Sequence, residues 1–366
     1  MLSVELRKDL NNALRLIAEK LDLDITRREN AVNKYQAVSA WIDEDESNLS
    51  DYCPSVYPQG SFTLGTVVKP LNTEEYDIDL VCELDDFEGQ PNEIKQIVGG
   101  RLNENGIYQP ILEEKNRCWR LNYAGKFHLD ILPARPSQSE NVGDTAIEIP
   151  DKELREWCIS DPQGYARWFK SCMAEQYETN LRILAQVESK SIEDVPEHLV
   201  KTTLQQAVQL LKRNRDIIFE NDKTDKPVSI VLTTLAGHVY DNQAELFETL
   251  KSLVCDMPQY IEHKDDVAWV VNPVNPEENF ADKWEKYPLR RVKFLGWLED
   301  LESALDRFHQ FNNIEDAKDL LEALFGESLA RSVLHDIHDQ KNTKSSARIS
   351  VPAAVKINNP NKPWKK

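Results

Sequence analysis

Apolar residues recur at spacings of three and four near the start of the chain, where Leu6, Leu10, Leu14, Ile17 and Leu21 predict an amphipathic helix over 4–21. Ile25, Val32, Tyr35, Val38 and Ile42 carry the period into a second helix, which the acidic run Asp43-Glu44-Asp45-Glu46 ends in solvent. At Tyr52 the pattern changes. From there to about Pro136 short β-rich runs dominate: Val56-Tyr57, Ile78-Asp79-Leu80-Val81, Cys118-Trp119-Arg120-Leu121, and Phe127 through Leu132. Helical spacing resumes at about residue 151 with Leu154, Trp157, Tyr165, Phe169 and Cys172, and continues through Leu204, Val208, Leu211 and Ile218. It returns at Phe294, Leu298, Leu301, Leu305 and Phe308, then at Leu320, Leu324 and Leu329. Helices, a mixed sheet and a mostly helical second half predict an α+β lobe joined to an α lobe, a bilobal molecule. The expected divisions are helices over 1–50, a sheet-bearing core over 51–150, a helical lobe over 151–340 and a tail over 341–366.

Composition narrows what such a molecule does. The 366 residues include 63 acidic and 44 basic side chains, a formal net charge of −19. Non-specific grip on nucleic acid comes mostly from cations displacing phosphate counterions, so a basic polymer-binding platform is excluded. A 40% hydrophobic share with 12 glycines suits a folded protein rather than a disordered one. No apolar run approaches the roughly 20 residues of a membrane helix, and the first residues are amphipathic rather than signal-like, so the expected location is the cytoplasm. Cys53, Cys82, Cys118, Cys158, Cys172 and Cys255 form no C-x-x-C pair and are expected to be reduced. Lys341–Lys366 hold seven basic residues and no acid, leaving −26 on the remainder. That segment reads as a flexible basic tail lying on an acidic body, or as a handle for a partner protein or nucleic acid.

The segment richest in chemistry is Gln59-Gly60-Ser61-Phe62, followed by Tyr76-Asp77-Ile78-Asp79-Leu80-Val81. Alternation on a strand sends Asp77 and Asp79 to one face while Ile78 and Leu80 enter the core. Two carboxylates side by side repel each other, an arrangement that divalent cations make sensible by supplying the missing charge. Hard Mg²⁺ takes oxygen ligands, commonly one or two carboxylates plus substrate phosphates, and Mn²⁺ fits the same donors. Gly60-Ser61 offers an unobstructed backbone and a hydroxyl for phosphate oxygens. Asp130, between Leu129 and Ile131, is a third acid in an apolar setting that charges a desolvation cost unless it is paired or metal-bound. Each piece alone also fits an ordinary turn or a solvated strand face.

In this order the pieces match the polymerase-β-like nucleotidyltransferase signature. Gln59-Gly60-Ser61-Phe62 with Gly65-Thr66, Glu75 through Val81, and His128-Leu129-Asp130-Ile131-Leu132-Pro133-Ala134 resemble the CD-NTases, bacterial relatives of cyclic GMP-AMP synthase and oligoadenylate synthetase that serve the CBASS antiphage systems. Leu211-Lys212-Arg213-Asn214-Arg215-Asp216, Pro227 through Leu235, and Asn272 through Phe280 resemble that family's helical lobe, so the likeness spans about residues 1–335.

The resemblance implies a nucleotidyltransferase core over 51–150, an oligoadenylate-synthetase-like substrate lobe over 151–340, and bracing of both by the N-terminal helices. It implies that Asp77, Asp79 and Asp130 hold two Mg²⁺ ions, with Asp130 nearest the attacking hydroxyl. It places Gln59, Gly60 and Ser61 on the donor phosphates, with Lys212 and Ser229 at triphosphate-contacting positions. The implied reaction condenses two or three nucleoside triphosphates, ATP among them, into a cyclic di- or trinucleotide that activates a separate effector. HORMA-type or ubiquitin-like-conjugation partners are implied regulators. Double-stranded DNA is not an expected activator, because no zinc-binding Cys/His cluster matches the animal relative and the body is acidic. Tyr76, Tyr123, Trp269 and Phe280 are candidates to stack on a base, although such aromatics are more often core. His335 and His338, with Asp336 and Asp339, read as an exposed helix end more readily than as a metal site. Two competing readings are a transferase acting on RNA, protein or a small molecule, and a catalytically dead nucleotide-binding scaffold.

Overall fold

Ser3 accepts a hydrogen bond from the Leu6 amide and starts helix α1 (Val4–Leu21), whose Leu6, Leu10, Leu14, Ile17 and Leu21 are all buried. Asp24 caps α2 (Ile25–Ile42) through the Arg27 amide, so Asp22-Leu23-Asp24 is an extended joint between two helices. The two belong to different cores. The stripe on α1 joins the large helical core, while Ala31, Val38 and Ile42 of α2 pack with the sheet. The molecule is a computed structural model that describes residues 2–349 except 46, 72–74, 124–126, 140–141, 152 and 154, with side chains to 341.

Strands β1 (Pro54–Gln59), β2 (Tyr76–Leu84), β3 (Leu112–Glu114), β4 (Trp119–Tyr123) and β5 (Phe127–Pro136) lie in the order β1-β2-β5-β4-β3, antiparallel except for the parallel β2–β5 pair. The five-residue helix α3 (Gly60–Leu64) follows β1, and α4 (Pro91–Glu104) covers one face with Ile94, Val98 and Leu102. The Cys118–Leu121 run begins one residue early, since Trp119 opens the strand.

The larger departure lies beyond 146. Helix does not resume at 151, because β6 (Ile147–Pro150) and β7 (Trp157–Ser160) extend the sheet from the far end of β5. Trp157 is therefore a strand residue, and Leu154 lies outside the described residues. Helix α5 (Pro162–Cys172) starts where Asp161 accepts from the Gly164 amide and Pro162 takes the first turn. The sheet lobe thus reaches about residue 160 rather than 150.

Helices α6 (Ala174–Glu188), α7 (Thr203–Ile218), α8 (Ser229–Val239), α9 (Leu246–Asp256), α10 (Lys283–Lys286), α11 (Pro288–Asp306), α12 (Lys318–Phe325) and α13 (Glu327–Ile349) complete the second lobe, with two short hairpins within 262–279. α7 is its axis, buried from Thr203 to Arg215 and packed on α1, α8, α9 and α12. The basic segment is not wholly a tail: α13 runs to Ile349, and Lys341 pairs with Asp9 of α1 at 2.6 Å. Residues 350–366 lie outside the described part. No described helix is long and apolar enough to cross a membrane.

Candidate active site

The alternation of β2 buries Tyr76, Ile78 and Leu80 and turns Asp77 and Asp79 to the opposite face. Parallel pairing sets Asp79 beside Asp130, and antiparallel pairing of β4 with β5 sets Arg120 opposite Asp130. Three acids and one guanidinium therefore share a face. Arg120 donates from Nε and from Nη2 to the two Asp130 oxygens at 2.6 Å each, and its Nη2 lies 3.2 Å from Asp77 Oδ1. The fork-to-fork geometry raises the Arg120 pKa, chiefly through the Asp130 hydrogen bonds.

Asp79 is treated differently. It makes no side-chain hydrogen bond or ion pair with the described residues, and burial, then the charges of Asp130 and Asp77, push its pKa up to about 6. Arg120 and Lys212 pull in the other direction but do not cancel those effects. An acid raised first by burial and then by two like charges marks a deficit of positive charge, and three carboxylates on that face suit divalent cations. The cage is not preassembled, however. Among the described residues no three His, Cys, Asp or Glu side chains stand close enough together to hold a metal ion.

Gly60 closes the floor. Its φ of +63° is left-handed, and a Cβ there would sit 2.8 Å from Asp79 Oδ2, so only glycine allows the turn after β1 to lie against this carboxylate. Gly60 and Ser61 line a cleft of about 390 Å³ with Asp77 and Asp79 on the sheet side, and Lys212, Arg215, Asp216 and Ser229 on the helical side. Gln59 ends β1 opposite Asp79 but is not part of that lining, nor are Asp130, the strand neighbour of Asp79, and its partner Arg120. A larger cavity of about 710 Å³ shares α3 and is lined by Arg28, Phe62, Lys170, Tyr177 and Lys201, yet it holds none of the three aspartates.

Lys212 crosses from α7 to the sheet lobe, where its Nζ donates to the Thr66 carbonyl at 3.0 Å and hydroxyl at 3.1 Å. Burial and the Arg215 charge push its pKa down to about 7, because neutral acceptors replace lost hydration only in part. Arg213 donates to the Lys69 carbonyl, and Gln205 and Gln209 of the same helix donate to the Leu64 and Val67 carbonyls. One face of α7 thus grips the backbone that follows α3. Ser229 opens α8 and accepts from Arg215 Nη1 at 2.8 Å, and Arg215 also holds Asp216, which Lys226 reaches as well.

Sequence reasoning named the three aspartates, Gly60, Ser61, Lys212 and Ser229. Arg120 and the Arg215–Asp216 pair carry no local sign of a role, and only the β4–β5 register and the α7–α8 packing reveal one. Among the aromatic candidates, Tyr76 alone lines the cleft, where its ring stacks on Phe127; Tyr123 also stacks on Phe127, Phe280 meets Tyr165 edge to face, and Trp269 lies under Lys264, all three outside that lining. His335 lies exposed at 3.2 Å from Asp339, and no metal cluster accompanies it among the described residues.

Residues 9–172 match the Second Messenger Oligonucleotide or Dinucleotide Synthetase domain. The chain is 34% identical over 324 residues to the c-di-GMP synthase of Roseivirga ehrenbergii, covering 87% of this chain and 85% of the relative. Among solved structures, the Bradyrhizobium diazoefficiens CD-NTase CdnG in complex with GTP superposes with a TM-score of 0.74 at 23% identity, over 90% of this chain and 99% of that one. The Escherichia coli complex of CdnC with a HORMA protein gives a TM-score of 0.65 at 13% identity, over 89% and 98%. These likenesses establish the polymerase-β-like α+β fold with its helical second lobe.

Proposed function

The chain belongs to the CD-NTases, nucleotidyltransferases that make cyclic oligonucleotides, and on that premise we propose that it joins two nucleoside triphosphates, GTP among them, into a cyclic dinucleotide messenger. The relative named for c-di-GMP synthesis and the neighbour solved with GTP support a guanine-containing dinucleotide, a narrower reading than two or three nucleotides including ATP. The observation that carries the chemistry is the register that places Asp79 beside Asp130 and turns Asp77 to the same face, across the cleft from Lys212 and Arg215.

In each of the two transfers that make one product, a ribose hydroxyl oxygen bonds to an α-phosphorus, the bond to the α–β bridging oxygen breaks, and pyrophosphate leaves. Two bound Mg²⁺ or Mn²⁺ ions would neutralise phosphate charge and lower the hydroxyl pKa. Asp77 and Asp79 would hold the metal–triphosphate, Asp130 would serve the attacking hydroxyl and accept its proton, and Gly60-Ser61 would cradle the phosphates. Lys212 would act from behind Thr66, adding positive charge and fixing the loop, while Arg215 and Ser229 face the substrate. Gln59 would act through the backbone of its strand end. The product would activate a separate effector in cytoplasmic antiphage signalling. The HORMA-bound neighbour supports a HORMA-type regulator, and the net charge of −19 argues against activation by double-stranded DNA.

The deciding experiment incubates the full chain with each labelled ribonucleoside triphosphate, singly and mixed, with Mg²⁺ or Mn²⁺, then applies phosphatase, chromatography and mass spectrometry. A phosphatase-resistant cyclic product containing guanine, absent from Asp77→Ala/Asp79→Ala, is expected. A product seen only on added RNA or protein would identify a transferase instead.

A further inference from the structure

The acids expected to bind cations are closed on an arginine to which the proposed reaction gives no role. Arg120 occupies both Asp130 oxygens and reaches Asp77, yet leaves Asp79, one residue pair away in the sheet, without a bonded partner among the described residues. Its side chain is 23% exposed and that of Asp130 16%, whereas Asp77 is 58% exposed, so the tightest contact is also the driest. Charge-assisted, bidentate bonds in such a setting are the strong class of hydrogen bond. While they persist, Asp130 has no oxygen without a donor directed at it, and the carboxylates form no metal cage.

We propose that Arg120 is a latch: it holds Asp130 and Asp77 closed on its guanidinium, and divalent cations must displace it to assemble the site. The proposal rests on the two-metal reading above. Arg120 acts through the carboxylates and is a positioning residue. Its first consequence is weak cation binding in the absence of nucleotide, since each ion must break charge-assisted bonds before making its own. Its second is that the metal-free acids remain ordered instead of repelling one another. A triphosphate arriving with its cation brings additional ligands for that ion, which offsets the broken bonds, so the site assembles on substrate rather than on metal alone.

The test measures Mn²⁺ binding to the full chain without nucleotide, by loss of the free-ion electron paramagnetic resonance signal, for wild type, Arg120→Gln and Arg120→Lys, with Asp77→Asn/Asp79→Asn as the site control. Breaking two charge-assisted bonds predicts Mn²⁺ affinity about 30-fold higher in Arg120→Gln. Arg120→Lys keeps the charge but not the fork and should tighten binding about fivefold, which separates a latch from charge alone. Metal-free Arg120→Gln should also melt earlier than wild type, with Mn²⁺ closing the gap. Unchanged or weaker Mn²⁺ affinity in both variants, with binding still lost in the site control, would overturn the latch and leave the two-metal reading intact. Absence of saturable binding in wild type and both variants would overturn the two-metal reading and the latch together. If Arg120→Gln does not fold without metal, Arg120→Lys alone decides.

Discussion

On the sheet side Asp77 and Asp130 share one guanidinium, and Asp79, between them on the same face, has no bonded partner among the described residues. On the helical wall the cations are already engaged, Lys212 on Thr66 and Arg215 on Asp216, Ser229 and the Pro227 carbonyl, while Arg213, outside the cleft lining, holds the Lys69 carbonyl. The partners differ in kind. Most acceptors on the helical wall are neutral, so they orient the cations without cancelling them. The donors on the sheet wall are too few to neutralise the acids. One wall is preorganised and keeps positive charge for an anion, while the other is assembled only when cations arrive.

The sharpest way to break this contrast is to remove the acids. Asp77→Ala and Asp79→Ala should each lower pyrophosphate release by at least about a thousandfold, measured with a coupled phosphate assay. Lys212→Met, which deletes charge from the preorganised wall but not from the chemistry, should cost about a hundredfold in kcat/KM in steady-state kinetics. Gly60→Ala forces a left-handed alanine against Asp79 and should destabilise the fold by about 1–2 kcal/mol in urea denaturation, with activity down about tenfold. The subtlest effect is on stability alone. Because folding raises the Asp79 pKa to about 6, its ionised form carries a cost that is absent near pH 4 and fully present above pH 6. Asp79→Asn should therefore match wild type at pH 4 and exceed it by about 2 kcal/mol at pH 8, in denaturation series at both pH values. A gain of equal size at both would show that the strain is steric instead.

The same contrast explains what the sequence could tell. α1, α2, β2 and β5 were legible because their apolar period is local, and the Asp-x-Asp alternation alone sends Asp77 and Asp79 to one face. Ile94, Val98 and Leu102 carried the signal of α4 inside a stretch dominated by strands. The misreading at 151 came from Trp157, Tyr165, Phe169 and Cys172, whose spacing imitates one helix. Asp161-Pro162, a capping residue before a first-turn proline, was the local mark that α5 begins later. Arg120 and the far end of Lys212 were not legible at all. A strand register between β4 and β5, and a contact 146 positions apart in sequence, set them.

The joint at Asp22-Leu23-Asp24 also sets a timetable for synthesis. Every strand of the large sheet lies within 54–160, and α2, which packs on it, precedes it, so that lobe can close while the chain is still on the ribosome. The apolar stripe of α1 has its partners in α7, α9 and α13. At ~5–20 residues per second, roughly 10–40 s separate the emergence of α1 from that of α7, and α13 comes later still. Through that interval the nascent chain carries an uncovered row of leucines ahead of a folded sheet lobe, which makes α1 the natural binding segment for a holdase chaperone and the point where translation pauses would do most harm.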